Sequence, residues 1–250
     1  SEMCIRDSRK ARNLRFFEVG NVYHFDEERY TTESPIKAYQ QRYHLALWVT
    51  GHRVEGNWAH PDEESSFFEL KAHVENVLRR VGLQAGQVVT EASDNNIFDK
   101  GLRMKTRGGK VLVDMGIVNH HVLRRFDIEQ PVYYAEIDWT ELMKATRKNS
   151  LLFQELSKYP AVSRDLALLV DANVEFAQIE QIARQTEKKL LKQVVLFDVY
   201  QGKNLPEGKK SYAVNFILQD ESRTLTDKAI EAIMQKLMKN LTTKLHAELR

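Results

Sequence analysis

Residues 193–218 read QVVLFDVYQGKNLPEGKKSYAVNFIL, and the second half of the chain organises itself around them. Residues 193–200 are dense in branched and aromatic side chains, which suit a pleated surface, and predict a strand. Residues 202–209 hold Pro206 and Gly208 and predict a hairpin loop. Residues 211–218 then pair back, with Tyr212, Val214, Phe216 and Leu218 alternating onto one face. Upstream, residues 174–190 have helical spacing, with Ile179, Ile182, Thr186 and Leu190 along one side, and residues 161–170 (AVSRDLALLV) predict a strand. Downstream, Thr226 is a good N-cap, and Asp227 suits the positive end of a helix. Ile230, Ile233, Met234, Leu237, Leu241 and Leu245 form the inner side of that helix, and residues 245–250 supply a short closing strand.

The order is β-α-β-β-α-β, the split βαβ or ferredoxin-like arrangement. It implies an antiparallel sheet of four strands with both helices on one face, the other face staying open for a partner. Ahead of it the chain is mixed α+β. Residues 15–25 read as two short extended pieces around a Gly20-Asn21 turn, and residues 43–50 (YHLALWVT) as a strand stopped by Gly51. Residues 66–81 have helical spacing, with Phe67, Leu70, Val74, Val77, Leu78 and Val81 on one side and Gly82 just beyond. Residues 102–115 read as a hairpin across Gly108-Gly109, residues 120–126 as a short helix, and residues 131–139 (PVYYAEIDW) as a strand. An antiparallel sheet is the expected centre. Residues 140–156 are polar in the middle and are expected to carry the chain between domains. Residues 1–8 lack periodicity and are expected to be a disordered or non-native tail; the abrupt start before a strand suggests part of a longer chain.

Of the 250 residues, 42% are hydrophobic and 29% charged, a globular profile and not a disordered one. No apolar run approaches the ~20 residues of a membrane helix, so no membrane partner is expected. A single cysteine, Cys4, excludes an internal disulfide and a multi-cysteine metal site, and points to a reducing, cytosolic compartment. Net charge is +2; from Leu151 onward there are 15 Lys+Arg against 13 Asp+Glu, so the surplus lies there. It is too small to argue for or against a nucleic-acid partner.

Four stretches of the second half, 159–170 (YPAVSRDLALLV), 196–203 (LFDVYQGK), 208–212 (GKKSY) and 218–225 (LQDESRTL), resemble the ferredoxin-fold anticodon-binding domain of phenylalanine–tRNA ligase β chains. In the first half, 16–23 (FFEVGNVY), 51–58 (GHRVEGNW), 68–71 (FELK) and 115–118 (MGIV) resemble the catalytic-like, inactive class II synthetase-like domain of the same β chain. The resemblance covers roughly residues 13–250. It implies a tail at 1–12, a class II synthetase-like non-catalytic domain at 13–140, a linker at 141–156 and the anticodon-binding domain at 157–250. It also implies a cytoplasmic ligase subunit that binds phenylalanine-specific tRNA and packs against the catalytic α chain in an α2β2 assembly. ATP and magnesium would serve the whole enzyme, with no cofactor on this segment; an apolar surface patch should be overexposed without the α chain.

Class II chemistry neutralises ATP phosphates with arginines from two motifs. The earlier reads Phe-Arg-x-Glu; here Glu18 fits the glutamate, but Phe16 stands two before it, and Arg15, one residue early, points to the opposite strand face. The later motif needs a glycine-rich strand ending in arginine, and residues 131–139 contain neither. Without fixed cations no adenylation is expected from this chain, and Glu18 reads as structural. His120 and His121 are adjacent and lack the i, i+4 spacing of a helical metal pair, so they read as solvated or capping residues. Ser34-Pro-Ile-Lys37 is a chance S-x-x-K match, and Asn240-Leu-Thr242 is a glycosylation sequon expected to stay silent inside a cytosolic helix.

An anticodon loop is single-stranded, so its bases can stack on aromatic or guanidinium planes while lysines meet phosphates. Candidates on strand ends and the hairpin are Arg164, Tyr200, Lys203, Lys209, Lys210, Tyr212 and Arg223. Tyr212 reads equally as core, Arg164-Asp165 as a local ion pair, and the three lysines as solvated hairpin residues. Asn215 and Gln219 fall on the face opposite Tyr212. A free-standing RNA-binding module is the rival reading, although the aromatic signature of RNA recognition motifs is absent from residues 211–216 (SYAVNF); a small-molecule regulatory domain on the same fold is another.

Overall fold

The computed structural model describes residues 12–150 and 157–249, and the chain divides into two compact units on either side of Leu152. The expected tail and the last six residues of the expected linker fall, apart from Arg12, outside the described residues.

In the first unit a six-stranded sheet has the order β1-β2-β8-β7-β6-β5. Its strands are β1 (Leu14–Phe25), β2 (Tyr39–Thr50), β5 (Val88–Ala92), β6 (Phe98–Thr106), β7 (Val111–Val118) and β8 (Val132–Asp138). All of its pairings are antiparallel. β3 (His52–Val54) and β4 (Glu63–Glu64) form a small separate hairpin. The Gly20-Asn21 turn does not occur: β1 runs through it unbroken, Gly20 opposite His44 and Asn21 opposite Tyr43. A neighbouring strand that pairs every residue from Leu14 to Phe25 overrides the local turn preference. The β6–β7 hairpin lies where the paired glycines predict it, with only Gly109 at positive φ.

Helix α1 (Phe67–Arg80) starts at Ser66, whose hydroxyl accepts the Glu69 N–H, and buries Leu70, Val74 and Leu78. They pack with Leu45 and Val49 of β2, Val113 and Met115 of β7, and Ala135 and Ile137 of β8. After the short α2 (His120–Arg124), the chain forms α3 (Trp139–Thr146), where the sequence predicts a polar connection. The Asp138 carboxylate caps α3 by accepting the Glu141 N–H, and Leu142 is fully buried, with Trp139 and Ala145 packed against the same core.

The second unit holds β9 (Val162–Asp171), α4 (Phe176–Thr186), β10 (Leu191–Tyr200), β11 (Lys209–Leu218), α5 (Asp227–Leu245) and β12 (Glu248–Leu249). Its sheet has the order β10-β11-β9-β12, antiparallel throughout, which is the ferredoxin-like topology. Leu168, Val170, Tyr212, Val214, Phe216 and Leu218 of the sheet share one core with Ile179, Ile182 and Ala183 of α4 and Ile230, Met234, Leu237 and Leu241 of α5. All of those strand positions have the same parity, so both helices lie on one face. α4 stops at Thr186, four residues short of Leu190, because the Glu187 carboxylate turns back to accept the Lys189 and Leu190 N–H groups. Asn240 of the formal sequon donates to the Thr186 hydroxyl at 2.8 Å, tying α5 to α4.

Candidate nucleic-acid interface

The face of the second sheet away from α4 and α5 is set by register. β10 and β11 pair Tyr200 with Ser211 and Asp198 with Ala213; β11 and β9 pair Ser211 with Leu169 and Ala213 with Ala167. Directly paired residues project to the same side. Asp198, Ala213 and Ala167 therefore form one row across the sheet and Tyr200, Ser211 and Leu169 the next, both at the hairpin end. The two alanines leave the backbone low enough for a flat ring to approach it. Further along, the Asn215 amide donates to the Ser163 hydroxyl and the Asp165 carboxylate.

Asp198 and Tyr200 reach this face through an irregularity. Val194 and Leu196 belong to the core side, and strict alternation would carry residues 198 and 200 there too. A bulge between Leu196 and Asp198 inserts Phe197 as an extra residue and flips the remainder of the strand. Phe197 itself is 58% exposed on this edge strand. Asp198, Ala167, Ala213, Ser211 and Phe197 are not among the candidates read from sequence; for Asp198, alternation from Val194 and Leu196 alone assigns the wrong face.

Those seven candidates do not gather in one place. Tyr200 and Lys203 sit at the hairpin end, both exposed. Lys209 shares the bare face and pairs with the Glu248 carboxylate of β12, a hydrogen bond that pushes the lysine's pKa up. Lys210 points to the helix side, its Nζ 4.9 Å from the centre of the Tyr212 ring. Tyr212 is a core residue: it is 6% exposed and its hydroxyl donates to the Val174 carbonyl at 3.1 Å, so its ring presents no face to a base. Arg164 is paired across the sheet with Phe216, six residues from Lys210 on β11, or roughly 20 Å at the rise of a strand. Its guanidinium donates to the Ser163 carbonyl, while Asp165 is taken by Asn215. Arg223 lies in the loop before α5, its Nε donating to Asp220 at 3.2 Å. Gln219 donates to the Tyr159 carbonyl at 2.7 Å.

The first unit's sheet also has a face away from its helix core. Trp48 and Tyr134 lie 5.2 Å apart there, Phe98 and Tyr134 6.2 Å apart. A Cβ at Gly116 would meet the Phe98 ring at 2.6 Å, so that ring lies directly on the strand. Burial holds the Tyr134 hydroxyl protonated well above the usual range, with the nearby Glu136 charge adding to it. Beside this row His44 meets Glu136 at 2.7 Å and Arg42 meets Asp138 at 3.2 Å. Glu18 pairs with Ala46 on this face, whereas Arg15 pairs with Val49 on the other and binds Glu69 of α1 at 2.8 Å, as the one-residue offset predicts. His120 and His121 are both exposed, and among the described residues no group of three His, Cys, Asp or Glu side chains is placed to hold a metal ion. No described helix is long and apolar enough to cross a membrane.

The family described as "Phenylalanyl tRNA synthetase beta chain CLM domain" matches residues 7–139. This chain belongs to the phenylalanyl-tRNA synthetase β-chain family. The "Ferredoxin-fold anticodon binding domain" family matches residues 157–250 of this family member, the unit with the bare sheet. The chain is 55% identical to the phenylalanine–tRNA ligase β subunit of Bacteroides thetaiotaomicron over 97% of its own length and 30% of that protein's. It is 49% identical to the β subunit of Porphyromonas gingivalis, with the same coverage. It thus spans under a third of the length of the curated relatives it matches. Superposition on the crystal structure of pyrrolysyl-tRNA synthetase from Desulfitobacterium hafniense gives a TM-score of 0.38 at 13% identity, over 59% of this chain and 47% of that one, too low to carry an argument.

Proposed function

We propose that residues 157–250 bind the anticodon region of phenylalanine-specific tRNA on the bare face of their sheet. The rest of the chain, in this reading, is a catalytically inactive scaffold for the catalytic α chain of a cytoplasmic α2β2 ligase. The observation that carries the first part is the pair of rows at the hairpin end: an exposed aromatic ring and an exposed carboxylate beside two alanines. Unstacked bases need such a surface, a ring to stack on and polar groups for their edges. The Asp198 carboxylate repels phosphate and accepts base N–H groups, so it favours bases over backbone at the centre. Lys203 and Lys209 stand at the rim, where phosphates would run.

The scaffold role is supported by β1. It is an edge strand, and Phe17 and Tyr23 on it are 73% and 63% exposed, beside exposed Phe16, Val19, Val22 and Phe25. A long apolar edge of this kind is a surface that a stable monomer avoids and a subunit interface uses. Inactivity is supported by the aromatic row over the first sheet and by the lack of arginine at Phe16 and along β8 (VYYAEID). ATP and magnesium would be handled by the catalytic α chain.

Ala213→Glu tests the binding face. Position 213 lies outside the core parity, so thermal stability should stay within ~1 kcal/mol of the parent. A carboxylate in the middle of the face should weaken tRNA binding at least about tenfold through repulsion and lost base contact. An unchanged dissociation constant in a filter-binding assay would exclude this face as the site.

A further inference from the structure

We infer that Gly202 is a positioning residue for tRNA binding, present because the Tyr200 ring occupies the space where any side chain at position 202 would begin. This inference rests on the reading of the bare face as the tRNA site and adds to it the device that holds the stacking ring in place.

A Cβ built on Gly202 would collide with the Tyr200 hydroxyl oxygen and would lie 2.6 Å from Cζ and 3.1 Å from Cε2. Three atoms of one side chain therefore rest against the Gly202 backbone. Two features show that the glycine serves the ring and not the chain path. The first is its backbone: Gly202 is absent from the glycines at positive φ, which are Gly51, Gly82, Gly109 and Gly208, so an L-residue could adopt the same conformation. The second is that the backbones of both residues are held, so only the ring can give way. The Gly202 carbonyl accepts the Leu205 N–H at 3.1 Å, closing a turn, and Tyr200 is held in the β10–β11 ladder opposite Ser211. A methyl group at position 202 must then be accommodated by rotating the tyrosine.

The consequence is preorganisation. Tyr200 is 39% exposed with the hydroxyl end of its ring seated beside Gly202, so a base would meet a ring already laid down on the hairpin. Gly202→Ala should act on RNA through Tyr200 alone, since no cation is moved.

The test is a double-mutant cycle in the complete β chain assembled with its catalytic partner chain, with the dissociation constant for phenylalanine-specific tRNA measured across a salt titration. Gly202→Ala and Tyr200→Ala should each weaken binding, Tyr200→Ala by roughly 5- to 150-fold, the range one base–aromatic stack is worth. The double variant should bind no more weakly than Tyr200→Ala alone, and all three should keep the parental salt slope, because no phosphate contact is lost. A fold defect in Gly202→Ala that Tyr200→Ala rescues reports the same contact and supports the inference. Losses that multiply in the double variant, or a Gly202→Ala protein that binds like the parent, would overturn it while leaving the face intact as a binding site. A Tyr200→Ala enzyme with parental affinity would instead remove Tyr200 from the site, and the role of Gly202 with it.

Discussion

Tyr212 shows how one hydroxyl separates a structural residue from a binding one. Its ring belongs to the helix-side core, its centre 6.3 Å from that of Phe176, and its O–H satisfies the Val174 carbonyl. Tyr212→Phe keeps the ring and removes the donor, leaving that carbonyl without this partner. Stability should fall by about 1–2 kcal/mol, the cost of one buried hydrogen bond, with tRNA affinity unchanged. Urea unfolding read alongside filter binding checks both halves. Tyr200, twelve residues earlier, is predicted to give the mirror result. Both tyrosines sit in strands of the same hairpin, and nothing in their residue type distinguishes them.

At the scale of elements, the loop into α5 carries a carboxylate whose ionisation matters. Asp220 accepts the Ser222 hydroxyl and N–H and the Arg223 Nε, and these bonds, led by the hydroxyl, hold its pKa below the usual value of 3.8. A depressed folded-state pKa contributes stability that is complete above the unfolded value and is lost as pH falls through the folded one. Asp220→Asn removes the titration, so its loss of stability below about pH 4 should be shallower than the parent's. Parallel acid limbs in thermal melts would show that the Asp220 turn does not contribute. Periodicity is legible for the long elements: Leu70, Val74 and Leu78 of α1, and Ile230, Met234, Leu237 and Leu241 of α5, are buried at the spacing the sequence shows. It is not legible for α3, where Trp139, Leu142 and Ala145 turn inward among polar neighbours, nor for β1, where Gly20 suggests a turn that β2 pairing prevents. In each miss a tertiary partner outweighs a local preference.

At the scale of the whole molecule, the second unit has a core of its own, built among the described residues from Val162 to Ala247. Residues 157–250 expressed alone should therefore unfold in one cooperative urea transition and retain salt-dependent tRNA binding. A fragment lacking a cooperative transition would mean that this core needs the preceding unit.

Residue order was enough to specify the six-element pattern of the second unit and the side of each helix that turns inward. These follow from spacing and residue type, which act within one element. Which strand residues lie on the sheet face away from the helices was decided only by the folded sheet. A single inserted residue at Phe197 carries Asp198 and Tyr200 to the bare side, and strand pairing holds Arg164 some six residues along the sheet from the hairpin lysines. Register is a relation between two strands, and alternation within either one does not contain it.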